Sequence, residues 1–244
     1  MDILYGRNPV VEAMRAGRPA RKLVVAQGVK PEARLDEILA VAGERGLTVE
    51  RSPRRRLDDI AHSEHHQGVV GYFHAKPPVQ LDDLLDRLRA PALLLVLDGI
   101  QDPQNLGALA RTAEAVGADG LVMPRHRAAT LTPAAVKASA GATEHLPMVS
   151  VVNLAQALDR LGAAGVWRVG LAGEAGQRYD EVDLAQPVAV VVGAEGDGLR
   201  PITRKNCDVL VTLPMVGRVS SLNAAAAGAA ILYEAFRQRG FAAR

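Results

Sequence analysis

Three apolar runs in this chain end in unusual clusters of polar side chains. The first closes into "LDGIQDPQNLGALARTAEAVGA" (Leu97–Ala118), which carries Asn105 and Arg111. The second closes into "VVGAEGDGLR" (Val191–Arg200), where Glu195 stands among Gly193, Gly196 and Gly198. The third is "LPMVGRVSSLNAAAAGAAILYEAF" (Leu213–Phe236), in which Ser220, Ser221 and Asn223 precede a helix of Ala, Gly and aliphatic residues. Glycines of this kind let a backbone approach a nucleotide, and a carboxylate among them is either a turn residue or a functional one. The spacing argues against a Rossmann dinucleotide site. Gly196-Asp197-Gly198 is followed by Leu199, Arg200 and Pro201, so the third glycine of G-x-G-x-x-G is missing, and the loop closes a late strand. Taken singly, Arg111 reads as a surface helix arginine, and Asn105 and Ser220 as helix N-caps.

Five near-continuous apolar runs have to position these loops: Ala92–Asp98, Gly120–Pro124, Val166–Ala172, Pro187–Gly193 and Asp208–Pro214. Such runs are strands buried on both faces, as in a parallel sheet covered by helices, and helical stretches such as "NLGALARTAEAVG", "LTPAAVKASAG" and "NLAQALDRLGAAG" lie between them. Ligands of such sheets bind beyond the carboxyl ends of the strands, where the three polar clusters fall. A smaller alternating α/β unit precedes this one. In it Asn8 is the expected N-cap and Pro9 the first helical residue, followed by strands "KLVVA", "LTVER" and "GVVGYFHA" and helices "PEARLDEILAVAGERG" and "PRRRLDDIAH". "KPPVQ" breaks the pattern as a linker. The expected boundaries are 1–76 for the small domain, 77–91 for the linker and first helix, and 92–244 for the large domain.

Composition narrows the function classes. With 244 residues, 48% hydrophobic and 23% charged, the chain can bury a real core in one large or two small domains. The run Ala224–Ile231 is too short to cross a bilayer, Met1 leads straight into sequence that reads as folded, and the lone Cys207 excludes an internal disulfide and fits a reducing cytosol. Net charge is only +2, yet residues 1–76 hold 13 Lys and Arg against 10 Asp and Glu, and the remainder 16 against 17. "HSEHH" (His62–His66) lacks the H-E-x-x-H order of a metal site and reads as a polar loop, while "PRRR" (Pro53–Arg56) is either a phosphate-contacting patch or an exposed helix start. With aromatics at 3%, the chain is poorly equipped for base stacking, and any nucleic-acid contact would rest on phosphates and shape.

Together, "DPQNLGALARTAEAVGADGLVMP", "GAEGDGLR" and "LPMVGRVSSLNAAAAGAAILYEA" resemble, in order and spacing, the three signature motifs of the SpoU/TrmH family of S-adenosylmethionine-dependent RNA ribose 2′-O-methyltransferases. The resemblance covers the whole second domain. "YGRNPVVEAM" and "HHQGVVGYF" are similar to the small RNA-binding domain of one branch, which methylates a guanosine of large-subunit ribosomal RNA in the peptidyl-transferase region. It implies an α/β-knot (trefoil-knotted, SPOUT) domain with a mainly parallel sheet, a homodimer with the active site at the subunit interface, a cytoplasmic location, and no metal or membrane. Other readings that stay open are a tRNA guanosine methyltransferase of the same family and a non-catalytic ribosome-assembly factor.

The resemblance also assigns roles. A ribose hydroxyl is nearly unionised at neutral pH and needs a base or a stabilised developing oxyanion. Arg111 matches the family's essential arginine; a guanidinium stays protonated, so holding phosphate and stabilising the nascent alkoxide suits it better than acting as base. Asn105 shapes the site and orients that arginine, Glu195 organises it near Arg111 or Asn223, and Ser221 and Asn223 project polar groups into the catalytic corner. Gly193 and Gly196 allow close approach of the cofactor, Leu213 and Met215 flank its adenine, and Leu222 packs on it. Where many relatives have Val-Ser-Val after "SLN", this chain has Ala224-Ala225-Ala226.

Overall fold

In the computed structural model, which describes residues 1–126, 128–129, 131–218 and 221–242, the chain opens with β1 (Asp2–Tyr5), α1 (Arg7–Arg15), β2 (Ala20–Ala26), α2 (Ala33–Glu44), β3 (Thr48–Ser52), α3 (Arg54–Ala61) and β4 (Val69–Phe73). It continues through α4 (Leu81–Leu85), β5 (Leu93–Asp98), α5 (Pro103–Ala115), β6 (Gly120–Pro124), α6 (Pro133–Ala138) and a single 3-10 turn, Ala142–Glu144. The last part holds β7 (Met148–Val151), α7 (Leu154–Ala163), β8 (Trp167–Leu171), β9 (Gln177–Arg178), β10 (Val188–Gly193), α8 (Pro201–Lys205), β11 (Val209–Thr212) and α9 (Ala224–Gln238).

These elements form two units. The first comprises Met1–Pro77 together with Leu131–His145; the second comprises Pro78–Thr130 and Leu146–Arg244. Residues 131–145, read from sequence as part of the large domain, therefore cluster with the small one. The reason is local. Gly141, at φ +92°, has no room for a side chain, because a Cβ there would lie 2.7 Å from Glu12 Cβ on α1. Glu144 pairs with Arg18 at 2.9 Å, and Val136 joins the core of Leu4, Val10, Leu23 and Phe73. The small unit's sheet runs β1-β4-β2-β3, antiparallel except for the β2–β3 pair.

Pattern reading placed the first helix two residues late. Its N-cap is Gly6, at φ 92°, and Asn8 and Pro9 fall inside the first turn. Gly adopts this backbone at little cost, whereas the side chain of Asn8 is not needed as a cap. Strand β1 was missed because four residues without clear alternation carry little signal. In "HSEHH", His66 is buried, its Nδ1 accepting from the Gly68 N–H and its Nε2 donating to Asp58 at 2.9 Å. Of the three histidines in that stretch only His62 and His65 are exposed.

The second sheet is parallel throughout, in the order β7-β6-β5-β10-β8-β11-β9. All six residues of β5 and of β10 are buried, as their unbroken apolar runs require. The short strands β7 and β9, absent from the sequence reading, form its two edges. Helix α9 packs on α5 and β10. Its small residues make this possible: a Cβ at Gly228 would stand 2.4 Å from Leu109 on α5.

Candidate active site

The carboxyl ends of β8, β10 and β11 and the start of α9 enclose a cleft of about 530 Å³. Gly193, Glu195, Gly196, Leu213, Met215, Ser221 and Leu222 all line it. Its floor is backbone. A Cβ on Gly193 would lie 2.2 Å from the carbonyl carbon of Gly198, so only glycine fits. Beyond it the loop turns back on itself, with Ala194 and Gly198 exchanging both backbone hydrogen bonds (3.1 and 2.9 Å) and Gly196 and Gly198 at φ +83° and +65°.

Asn223 answers for the polar residues ahead of the buried helix. It is the N-cap of α9: Oδ1 accepts from the Ala225 N–H at 2.9 Å and the Ala226 N–H at 3.3 Å. This fixes the amide the other way round on its far side, where Nδ2 donates to Asn105 Oδ1 at 2.9 Å and to Glu195 Oε2 at 3.4 Å. One side chain thus starts a helix and joins all three motif loops. Ser220, assigned from sequence as the cap, lies outside the described residues.

Asn105 is not the cap of α5. Asp102 is, accepting from the Gln104 N–H, with Pro103 at the first helical position. Asn105 sits inside the first turn, buried, where its Oδ1 is free of cap duty and meets Asn223. Arg111, six residues on, is exposed, about 240° around the helix from Asn105 at about 100° per residue. It lines no part of the cleft, and its side chain makes no hydrogen bond or ion pair among the described residues.

Leu171, Ala172, Gly173 and Glu174 complete one wall of the cleft and were not singled out from the sequence. The available signal was the end of the apolar run Val166–Ala172 at a Gly-Glu pair. Glu174 pairs with Arg204 of α8; its own backbone N–H and that guanidinium hold its carboxyl below the usual carboxylate range. Carboxylates at Glu174, Glu195 and Asp197 against the one guanidinium of Arg204 make the lining acidic, which suits a ligand with positive charge. Cys207 is no nucleophile: burial pushes its thiol up to about 12, and its Sγ hydrogen-bonds the Thr203 carbonyl.

Glycine-floored loops, an acidic cleft at strand ends and an asparagine bridge between motifs agree with two family matches: residues 92–233 match the SpoU rRNA methylase family, and residues 3–79 match the RNA 2′-O ribose methyltransferase substrate-binding domain. The chain belongs to the SpoU rRNA methylase family. It is 43% identical to the 23S rRNA (guanosine-2′-O-)-methyltransferase RlmB of Pseudomonas putida, over 98% of this chain and 97% of that protein. It is 38% identical to an uncharacterized tRNA/rRNA methyltransferase of Synechocystis, over 99% of this chain and only 64% of that protein. The SpoU methyltransferase AviRb of Streptomyces viridochromogenes, solved with AdoMet, matches with a TM-score of 0.82 at 29% identity over 98% of this chain and 91% of that one. The family fold, the SPOUT methyltransferase fold, is the fold of this chain's second unit, and the family enzymes are methyltransferases.

Proposed function

We propose that this protein methylates the ribose 2′-hydroxyl of a guanosine in the peptidyl-transferase region of 23S rRNA, using S-adenosylmethionine, as a cytoplasmic homodimer. The observation that carries the reading is the Asn223 bridge, which gathers Asn105 and Glu195 at the mouth of an acidic cleft. The name of the Pseudomonas relative supports the substrate, and AviRb supports the methyl donor. The cleft fits such a donor: its volume lies within the roughly 300–1,000 Å³ of small-molecule sites, and its floor admits close backbone contact. When bound, the donor supplies an electrophilic methyl carbon on a cationic sulfonium.

Gly193, Gly196, Leu213, Met215 and Leu222 hold that donor, with Met215 as an adaptable apolar wall. Asn105 spends its Oδ1 on Asn223 and keeps its Nδ2 hydrogens, which make no hydrogen bond among the described residues, to donate to a substrate oxygen. Glu195 and Ser221 orient the ribose. Arg111 binds a substrate phosphate and stabilises the negative charge that develops on the ribose oxygen as its proton passes to solvent water. Because Arg111 projects from a different face of α5 than Asn105, we assign it to the site of a second copy of this chain, which is why a dimer is needed. The small unit supplies RNA contacts through exposed basic residues such as Arg54 and Arg55.

Transfer of labelled methyl to unmodified 23S rRNA and, separately, to unmodified tRNA tests this. One guanosine resistant to alkaline cleavage in the rRNA, lost in Arg111→Ala, is the expected result. Labelling of tRNA alone would move the substrate to the neighbouring branch, and no donor binding would end the enzymatic reading.

A further inference from the structure

An ion pair between a buried carboxylate, Asp98, and a half-exposed guanidinium, Arg200, lies behind the loop that carries Glu195. Asp98 is the last residue of β5, in register with Gly193, the last of β10. Its side chain is fully buried, and both oxygens accept from one residue: Oδ1 from Arg200 Nε at 2.5 Å and Oδ2 from the Arg200 backbone N–H at 2.9 Å. Neither residue lines the cleft. Taking a carboxylate out of water is costly, and its pairing with a half-exposed guanidinium is weak evidence for stability; what the pair offers here is a fixed geometry.

What it fixes is the second motif loop. The loop is held at its start by the pairing of Gly193 with β5, at its waist by the two Ala194–Gly198 backbone bonds, and at its end by the Asp98–Arg200 clamp. Glu195 at its tip has one side-chain partner among the described residues, Asn223 at 3.4 Å. The strand that ends at Asp98 runs, four residues on, into the Asp102 cap of α5, the helix that carries Asn105. One carboxylate therefore indexes the loop bearing Glu195 to the segment bearing Asn105.

We propose that Asp98 and Arg200 are positioning residues for the transfer step, setting Glu195 against Asn223 and Asn105 without contacting either ligand. This rests on the reading of those three residues as the reaction site. In Asp98→Asn, an amide N–H₂ must face one of the two Arg200 donors, so the clamp opens on one side. Arg200→Lys keeps the charge and the backbone bond but loses the planar fork, and should fall between wild type and Asp98→Asn.

Three readouts on the full chain test it: amide hydrogen exchange, donor affinity by calorimetry, and kcat and KM with 23S rRNA. Asp98→Asn is expected to speed exchange in residues 194–200 at least tenfold while β8 and β11 keep their protection. Its kcat should fall 10- to 100-fold, with donor Kd within threefold. Unchanged loop exchange would overturn the proposal. So would acceleration across the whole sheet, or a loss of donor affinity as large as the loss of kcat, since either marks a merely structural pair. If Asp98→Asn does not fold, Arg200→Lys carries the same comparison. Wild-type protein that binds the donor but methylates no RNA would sink the functional reading instead, while the exchange data still decide the clamp.

Discussion

The two units use polar side chains in opposite ways. In the small unit, polar groups are buried and bound to one another. Arg18, almost fully buried, donates to Glu144, to Asp2 and to the His74 carbonyl; Lys76 donates to the Thr143 and Glu144 carbonyls; His66 bridges Asp58 and Gly68. In the large unit, Asp98 and Asn105 are buried and bonded, but three other groups near the strand ends are left exposed and sparsely bonded. Arg111 has no side-chain partner among the described residues, Ser221 lines open space, and Glu195 holds one long contact. A buried, mutually bonded network specifies a fold, even with Glu144 Oε2 left without a hydrogen bond, whereas an unspent donor or charge at a cleft is available to a ligand. The difference teaches where to look for stability and where to look for chemistry in one chain.

Substitutions should separate the two regions. Arg111→Ala should lower methyl transfer about 100- to 1,000-fold, the usual cost of losing a charge-stabilising donor, with the melting temperature unmoved. Asn223→Ala should cost as much activity and, through the lost cap, about 0.5–2 kcal/mol of stability as well. If a second copy completes each site, mixing the two inactive variants restores transfer above either alone; failure to do so breaks the cross-subunit assignment of Arg111.

Gly193→Ala comes next. With backbone atoms 2.2–2.5 Å from the new Cβ, the loop must move, and donor Kd should rise more than tenfold in calorimetry. Arg18→Ala makes the opposite test. It leaves Glu144 buried without its cation and should cost about 3–5 kcal/mol in denaturant unfolding, with donor Kd unchanged. Replacing the partner too, as Arg18→Met with Glu144→Leu, should recover much of that loss.

The smallest effect concerns pH. Burial holds the His66 pKa below its ordinary value, and a proton on Nδ1 would face the Gly68 N–H. The unfolded chain therefore binds the proton more readily. Stability is complete above about pH 6.5 and falls as pH drops from there toward the depressed folded-state value. Thermal melts between pH 7 and 5 should show a shallower decline in His66→Gln than in wild type.

Much of this protein was legible in its sequence. Unbroken apolar runs determined the buried parallel strands, because a strand covered on both faces cannot alternate. The three motif loops were marked by glycines and by polar residues at strand ends, and Gly193 shows why: no other residue has room there. Tertiary structure alone decided the rest. The cap of α5 is a local Asp102-Pro103 signal; what packing decided is that Asn105, free of cap duty, meets Asn223, 118 residues away. The attachment of residues 131–145 to the small unit rests on Glu12, Arg18 and Lys76, pairings over 60 or more positions that no local pattern records. Local propensity and periodicity act over a few residues, so they fix elements and loop chemistry. Pairings between distant charges and amides are set only when packing brings them together.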